Sequence, residues 1–140
     1  MPGDYVDNPE IEKIAKTLYG QMDWVEEPNV KFLMLMADES QYLGKCSKAT
    51  GKWKYLTNMD YIVEVWNCFW DSADQHDREA LLMHELMHIE SAEKKDGSLV
   101  WKIRKHDVEE FLDVTKRYGL WSPPLIEIGK IINPVGQNKE

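Results

Sequence analysis

Apolar residues at Ile11, Ile14, Ala15 and Leu18 recur at helical spacing behind Asn8-Pro9, a capping residue followed by a first-turn proline, and Gly20 supplies a stop. This predicts an amphipathic helix over 9–19. The run from Val30 to Ala37 is apolar except at Lys31 and is bounded by Pro28-Asn29 and Asp38-Glu39-Ser40, which predicts a buried central strand. Two shorter segments, 41–47 and 53–57, flank Ala49-Thr50-Gly51 and read as a hairpin. Tyr61 to Trp66, partly β-branched and aromatic, predicts a further strand.

Beyond this the pattern changes. Asp71-Ser72-Ala73-Asp74 offers caps, and strong helix formers without Gly or Pro continue to about Ala92, which predicts the longest helix. Leu99, Trp101 and Ile103 alternate with Val100, Lys102 and Arg104 in the two-residue period of a short strand. A last helix is expected over 107–118, ending at Gly119, with an irregular segment from Trp121-Ser-Pro-Pro onward. The class expected is α+β: an N-terminal helix, a mixed or antiparallel sheet of three to four strands, a long helix, a short strand and a C-terminal helix. At 140 residues the chain suits a single domain, placed at 1–136, with 137–140 as a flexible tail.

The long helix carries the chemistry. Residues 84–88 read His-Glu-Leu-Met-His, and a spacing of four sets two imidazoles one helical turn apart, where both can hold one ion. Glu85 stands beside that pair, placed to take a proton from a metal-activated water rather than to bind the metal. The motif is expected in mid-helix, with Leu82, Leu86 and Ile89 packing on a core. Two histidines turned toward a core are costly to leave unpaired, and a divalent ion satisfies both. Zinc is the ion this pattern suits, and a catalytic zinc needs a third protein ligand. Positions 91 and 94 are Ser and Lys, which excludes the metzincin extension of the motif. His106, Asp107, Glu109 and Glu110 remain as candidates. His106 is the downstream histidine and follows the short strand that returns the chain toward the motif; Asp107 and Glu110 also fit a capping box at a helix start. His76, two turns before His84, reads as a solvated side chain.

Charge and composition narrow the partners. Seventeen basic against 25 acidic side chains give a net charge of −8, which repels phosphate backbones and argues against nucleic acid. Lys45, Lys48, Lys52 and Lys54, interleaved with Trp53 and Tyr55, read as a solvated hairpin face. Cys46 and Cys68 form no C-x-x-C pair and read as reduced thiols. No apolar run is long enough to span a membrane and the N-terminus has no signal pattern, so a cytoplasmic protein is expected. The oligomeric state is not legible.

The segment from Tyr61 to Trp121 contains Asp-Tyr-Ile-Val-Glu-Val, then Arg-Glu-Ala-Leu-Leu-Met-His-Glu-Leu-Met-His, then His-Asp-Val-Glu-Glu-Phe and Arg-Tyr-Gly-Leu-Trp. In these stretches the chain resembles the phage metallopeptidase family and, more distantly, the SprT-like zincins. The resemblance implies a zincin-like fold, Zn²⁺ held by His84, His88 and His106, and Glu85 as general base in peptide hydrolysis. It implies a protein or peptide substrate, expected to add as an extended segment to a strand edge supplied by the hairpin over 41–57. The alternatives are a catalytically silent zinc-binding interaction protein and a DNA-associated protease of the SprT kind.

Overall fold

A computed structural model of the chain describes residues 4–133 and forms two compact units that divide between Arg104 and Lys105. The first unit contains, in order, β1 (Asp4–Val6), α1 (Pro9–Leu18), a 3-10 turn (Tyr19–Gln21), β2 (Val30–Met36), β3 (Gly44–Lys48), α2 (Gly51–Thr57), β4 (Tyr61–Trp66), α3 (Asn67–Ser72), α4 (Gln75–Leu86), β5 (Ile89–Glu93) and β6 (Leu99–Ile103). The second contains α5 (Leu112–Tyr118) and α6 (Pro123–Ile132). The class is α+β, as the hydrophobic pattern predicts. The tail expected at 137–140 lies outside the described residues.

The first helix forms for the reasons its sequence gives. Asn8 Oδ1 accepts the Glu10 N–H at 3.0 Å, Pro9 opens the helix, and the buried residues are Ile11, Ile14, Ala15 and Leu18. The main sheet has the order β1-β2-β4-β3, so β2 and β4 are central, parallel to each other, with antiparallel strands on both sides. Phe32 and Met34 on β2 and Tyr61, Val63 and Val65 on β4 are buried on one face. They form one core with α1, Trp70 of α3 and Leu82 and Leu86 of α4. At about 25 cal/mol per Å² of apolar surface, this layer of helices on one sheet face is the main stabilising term of the unit.

Several boundaries differ from the sequence reading. Residues 51–57 are helical rather than the second arm of a hairpin: β3 pairs with β4 instead, in register from Gly44↔Val65 to Lys48↔Tyr61. The turn of α2 closes at Asn58, which takes the left-handed conformation at φ 57° and donates its N–H to the Lys54 carbonyl. The motif helix ends at Leu86 rather than continuing to Ala92, because Ile89–Glu93 pairs with Leu99–Ile103 as a hairpin whose register runs from Ile89↔Ile103 to Glu93↔Leu99. Sheet pairing with β6 overrides the helix propensity of this stretch.

In the second unit, the helix expected at 107 starts at Leu112 with Phe111 at the cap position, so Asp107 and Glu110 form no capping box. Glu110 accepts the Phe111 N–H at 2.9 Å and the Trp121 indole N–H at 3.1 Å instead. The segment expected to be irregular contains α6, with Pro123 and Pro124 in its first turn, where the missing N–H has no cost.

Candidate metal centre

The motif sits at the C-terminal end of α4. Asp74 caps the other end, its carboxylate accepting the Asp77 N–H at 2.8 Å. Leu82 and Leu86, both fully buried, fix the rotation of the helix about its axis. The last turn then tightens: the Met87 N–H reaches the Met83 carbonyl at 2.9 Å and the His88 N–H reaches the Glu85 carbonyl at 3.1 Å. The motif is therefore the closing turn of the helix, not its middle. His88 nevertheless stays one turn from His84, with ring centroids 5.1 Å apart and planes at 79°. Ligand nitrogens of the two rings lie within 4.8 Å of each other, close enough for both to reach one small ion at the usual zinc–nitrogen distance of about 2 Å.

A partner outside the motif orients His88. The Arg104 N–H donates to the His88 carbonyl at 2.7 Å, and His88 Nδ1 lies 2.7 Å from the Arg104 carbonyl oxygen. A carbonyl only accepts, so Nδ1 carries a hydrogen, and Nε2 is the ring nitrogen that would bind a metal. The hairpin of β5 and β6 brings Arg104 there, and two anchors hold the hairpin. The buried Tyr61 hydroxyl donates to the Lys102 carbonyl, and its ring meets Trp101 edge to face at 5.9 Å. The Trp24 indole N–H donates to the Ile89 carbonyl at 3.0 Å. The Arg104 contact is not visible in the motif, because it acts through a backbone carbonyl that any residue could supply.

Glu85 is 4% exposed, an unusual burial for a carboxylate. Burial pushes its pKa from 4.5 up to about 7, opposed by the positive potential of His88. A pKa near neutrality suits a group that must both accept and return a proton. The carboxylate fits there because β3 has no side chain opposite it. A Cβ on Gly44 would stand 3.1 Å from Glu85 Oε2, 3.1 Å from Leu81 Cδ1 and 3.2 Å from the Glu64 carbonyl oxygen. Cys46, two residues along the same strand, is held protonated: burial, with the Glu85 charge behind it, pushes its thiol up to about 12.

The remaining sequence candidates divide by unit. His106 is exposed and is the second residue after the boundary at Arg104. Asp107 and Glu109 are exposed as well, whereas both oxygens of Glu110 are engaged by Phe111 and Trp121. Asp74, His76 and Asp77 also bring ligand atoms within 4.8 Å of one another at the start of α4. There Asp74 is the helix cap and Asp77 bonds the His76 ring at 3.0 Å, so local capping accounts for the group. His76 is solvated, as its position predicts, with its side chain 88% exposed.

A family model described as "putative phage metallopeptidase" matches residues 3–135, and the chain belongs to that family. No curated protein and no solved structure matches it. The family is one of metallopeptidases, which implies a metal, and the histidine pair of α4 offers donors suited to one. Among the described residues no helix is long and apolar enough to cross a membrane.

Proposed function

We propose that the protein is a zinc metallopeptidase in which His84, His88 and His106 hold the ion and Glu85 is the general base. The observation that carries this reading is Glu85 itself: a buried carboxylate with a pKa raised to about 7, next in sequence to one imidazole and close to another whose Nδ1 is held by a backbone carbonyl. Two neutral imidazoles and a third nitrogen donor form a set that zinc accepts, with one position left for substrate. His106 fits the third place by covalent reach. The Arg104 carbonyl is held 2.7 Å from the His88 ring, and with only Lys105 between them the Cα of His106 lies no more than about 7.6 Å from that of Arg104. Glu110 suits the place less, since both its oxygens already accept hydrogen bonds.

Zinc, when bound, supplies a Lewis acid that polarises the scissile carbonyl and brings water close to ionisation at neutral pH. Glu85 takes the proton of the attacking water and delivers it to the departing amine, so one carboxylate serves as base and then acid. The substrate is an extended segment pairing with β3. The sheet order leaves that strand at an edge. Its bonds to β4 involve Leu43, whose carbonyl accepts from Trp66, and Ala49, whose N–H donates to Asp60. By the alternation of antiparallel pairing, the peptide groups of Gly44, Cys46 and Lys48 face outward. Gly44 is also the residue packed against Glu85, so main-chain pairing there brings a peptide bond to the base.

The test compares wild type with Glu85→Gln on an unfolded protein substrate. The variant should keep its metal and lose cleavage by about 10²–10⁴-fold, the usual share of a general base. Equal cleavage by both removes Glu85 from the chemistry, and zinc binding without cleavage by wild type points to the interaction-protein alternative.

A further inference from the structure

Two clefts flank the closing turn of α4, and they differ in chemistry. The one beside Met87 encloses about 240 Å³ and is lined by Asp23, Glu90, Ser91 and Arg104 among others. The one beside Glu85 encloses about 460 Å³, within the range of ligand pockets. Its helix wall is Ala80, Leu81, His84 and Glu85, residues three and four apart that share one face of α4. Leu43 and Phe69 also line it, and Gly44 joins them from β3. Asp77 is the one acidic side chain besides Glu85 among the lining residues.

We infer that this cleft is the specificity pocket of the enzyme, and that it takes a large apolar side chain, of leucine or phenylalanine size, from the residue next to the scissile bond. The inference deepens the peptidase reading and rests on it. Three observations commit the pocket to that occupant. It is continuous with the reacting groups, since His84 and Glu85 form part of its wall. It is continuous with the strand edge, since Gly44 lines it and presents outward-facing peptide groups, so a chain paired there drops alternate side chains toward α4. Its remaining walls are aliphatic and aromatic and Leu43 is 47% exposed, so an apolar side chain gains burial there while an anionic one meets the carboxylates of Asp77 and Glu85. The Gly44 position also sets the depth: a methyl group there would meet Leu81 at 3.1 Å and close the floor.

The test is binding of two probes, the acetylated hydroxamates of glycine and leucine, to zinc-loaded wild type, Ala80→Trp and Leu43→Lys. Ala80 and Leu43 are exposed, and retained zinc content and thermal melting confirm that each variant is folded. Wild type should bind the leucine probe at least about tenfold tighter, the discrimination expected of an apolar pocket, and both variants should lose most of that preference. Equal binding of the two probes to wild type, or a preference that survives in both variants, overturns the pocket and leaves the metal centre standing. Binding of neither probe overturns both. A leucine preference in a protein that cleaves nothing upholds the pocket and sinks the peptidase reading alone.

Discussion

Glu85 is the residue on which the proposed chemistry turns, and its burial has a consequence for stability that can be measured without substrate. Because the folded state raises its pKa from 4.5 to about 7, the folded protein holds this proton more tightly than the unfolded chain does. The associated stabilisation is full below about pH 4.5 and is lost as pH rises through about 7. Glutamine cannot ionise. Metal-free Glu85→Gln should therefore melt above metal-free wild type at pH 8, with the gap closing near pH 4.5; a gap independent of pH contradicts the assignment of a buried, ionising carboxylate. His84, Glu85 and His88 were legible because the motif specifies them by residue type and spacing. The Arg104 carbonyl and Gly44 were not. One contributes a backbone atom and the other the absence of a side chain, and neither leaves a mark in a single sequence.

At the scale of elements, β3 is where the sequence reading and the structure diverge with most effect. Trp53, Tyr55 and Thr57 alternate as a strand would, yet Tyr55 is 86% exposed on a helix, and β3 pairs with β4 instead. The alternation carried no information about burial. By contrast α1, β2, β4 and β6 were legible, since each buries a periodic set against the core or a partner strand. The N-terminal β1, three exposed residues long, and β5, read as helix, were not: β1 is set by pairing with β2 far along the chain, and β5 by the hairpin it forms with β6. Without the second hairpin arm, β3 is an edge strand of the sheet, the one proposed for substrate, and this makes Gly44 testable. Gly44→Ala sets a methyl group 3.1 Å from Glu85 Oε2, with the Glu64 backbone carbonyl behind it unable to yield. We expect kcat to fall by about tenfold to a hundredfold with zinc content unchanged, the usual cost of misplacing a catalytic group by a fraction of an ångström to an ångström. Unchanged kcat would show that Glu85 moves without penalty and that the glycine serves the strand alone.

For the whole molecule, the net charge is −8 and the chain belongs to the phage metallopeptidase family. The first unit supplies the sheet, the motif helix, the apolar cleft and the hairpin that orients His88. The second begins at Lys105 and includes His106. The α+β class and the order of its main elements were legible from hydrophobic period; the division into two compact units was not, because no Pro- or Gly-rich linker marks residues 104–105. The central claim is that three histidines, and no carboxylate, hold the ion. Zinc content measured side by side on wild type, His88→Ala, His106→Ala and Glu110→Ala tests it most directly. The account predicts about one zinc per chain in wild type and in Glu110→Ala, and a loss of at least tenfold in affinity in each histidine variant. Full zinc retention in His106→Ala, with loss in Glu110→Ala, would contradict it.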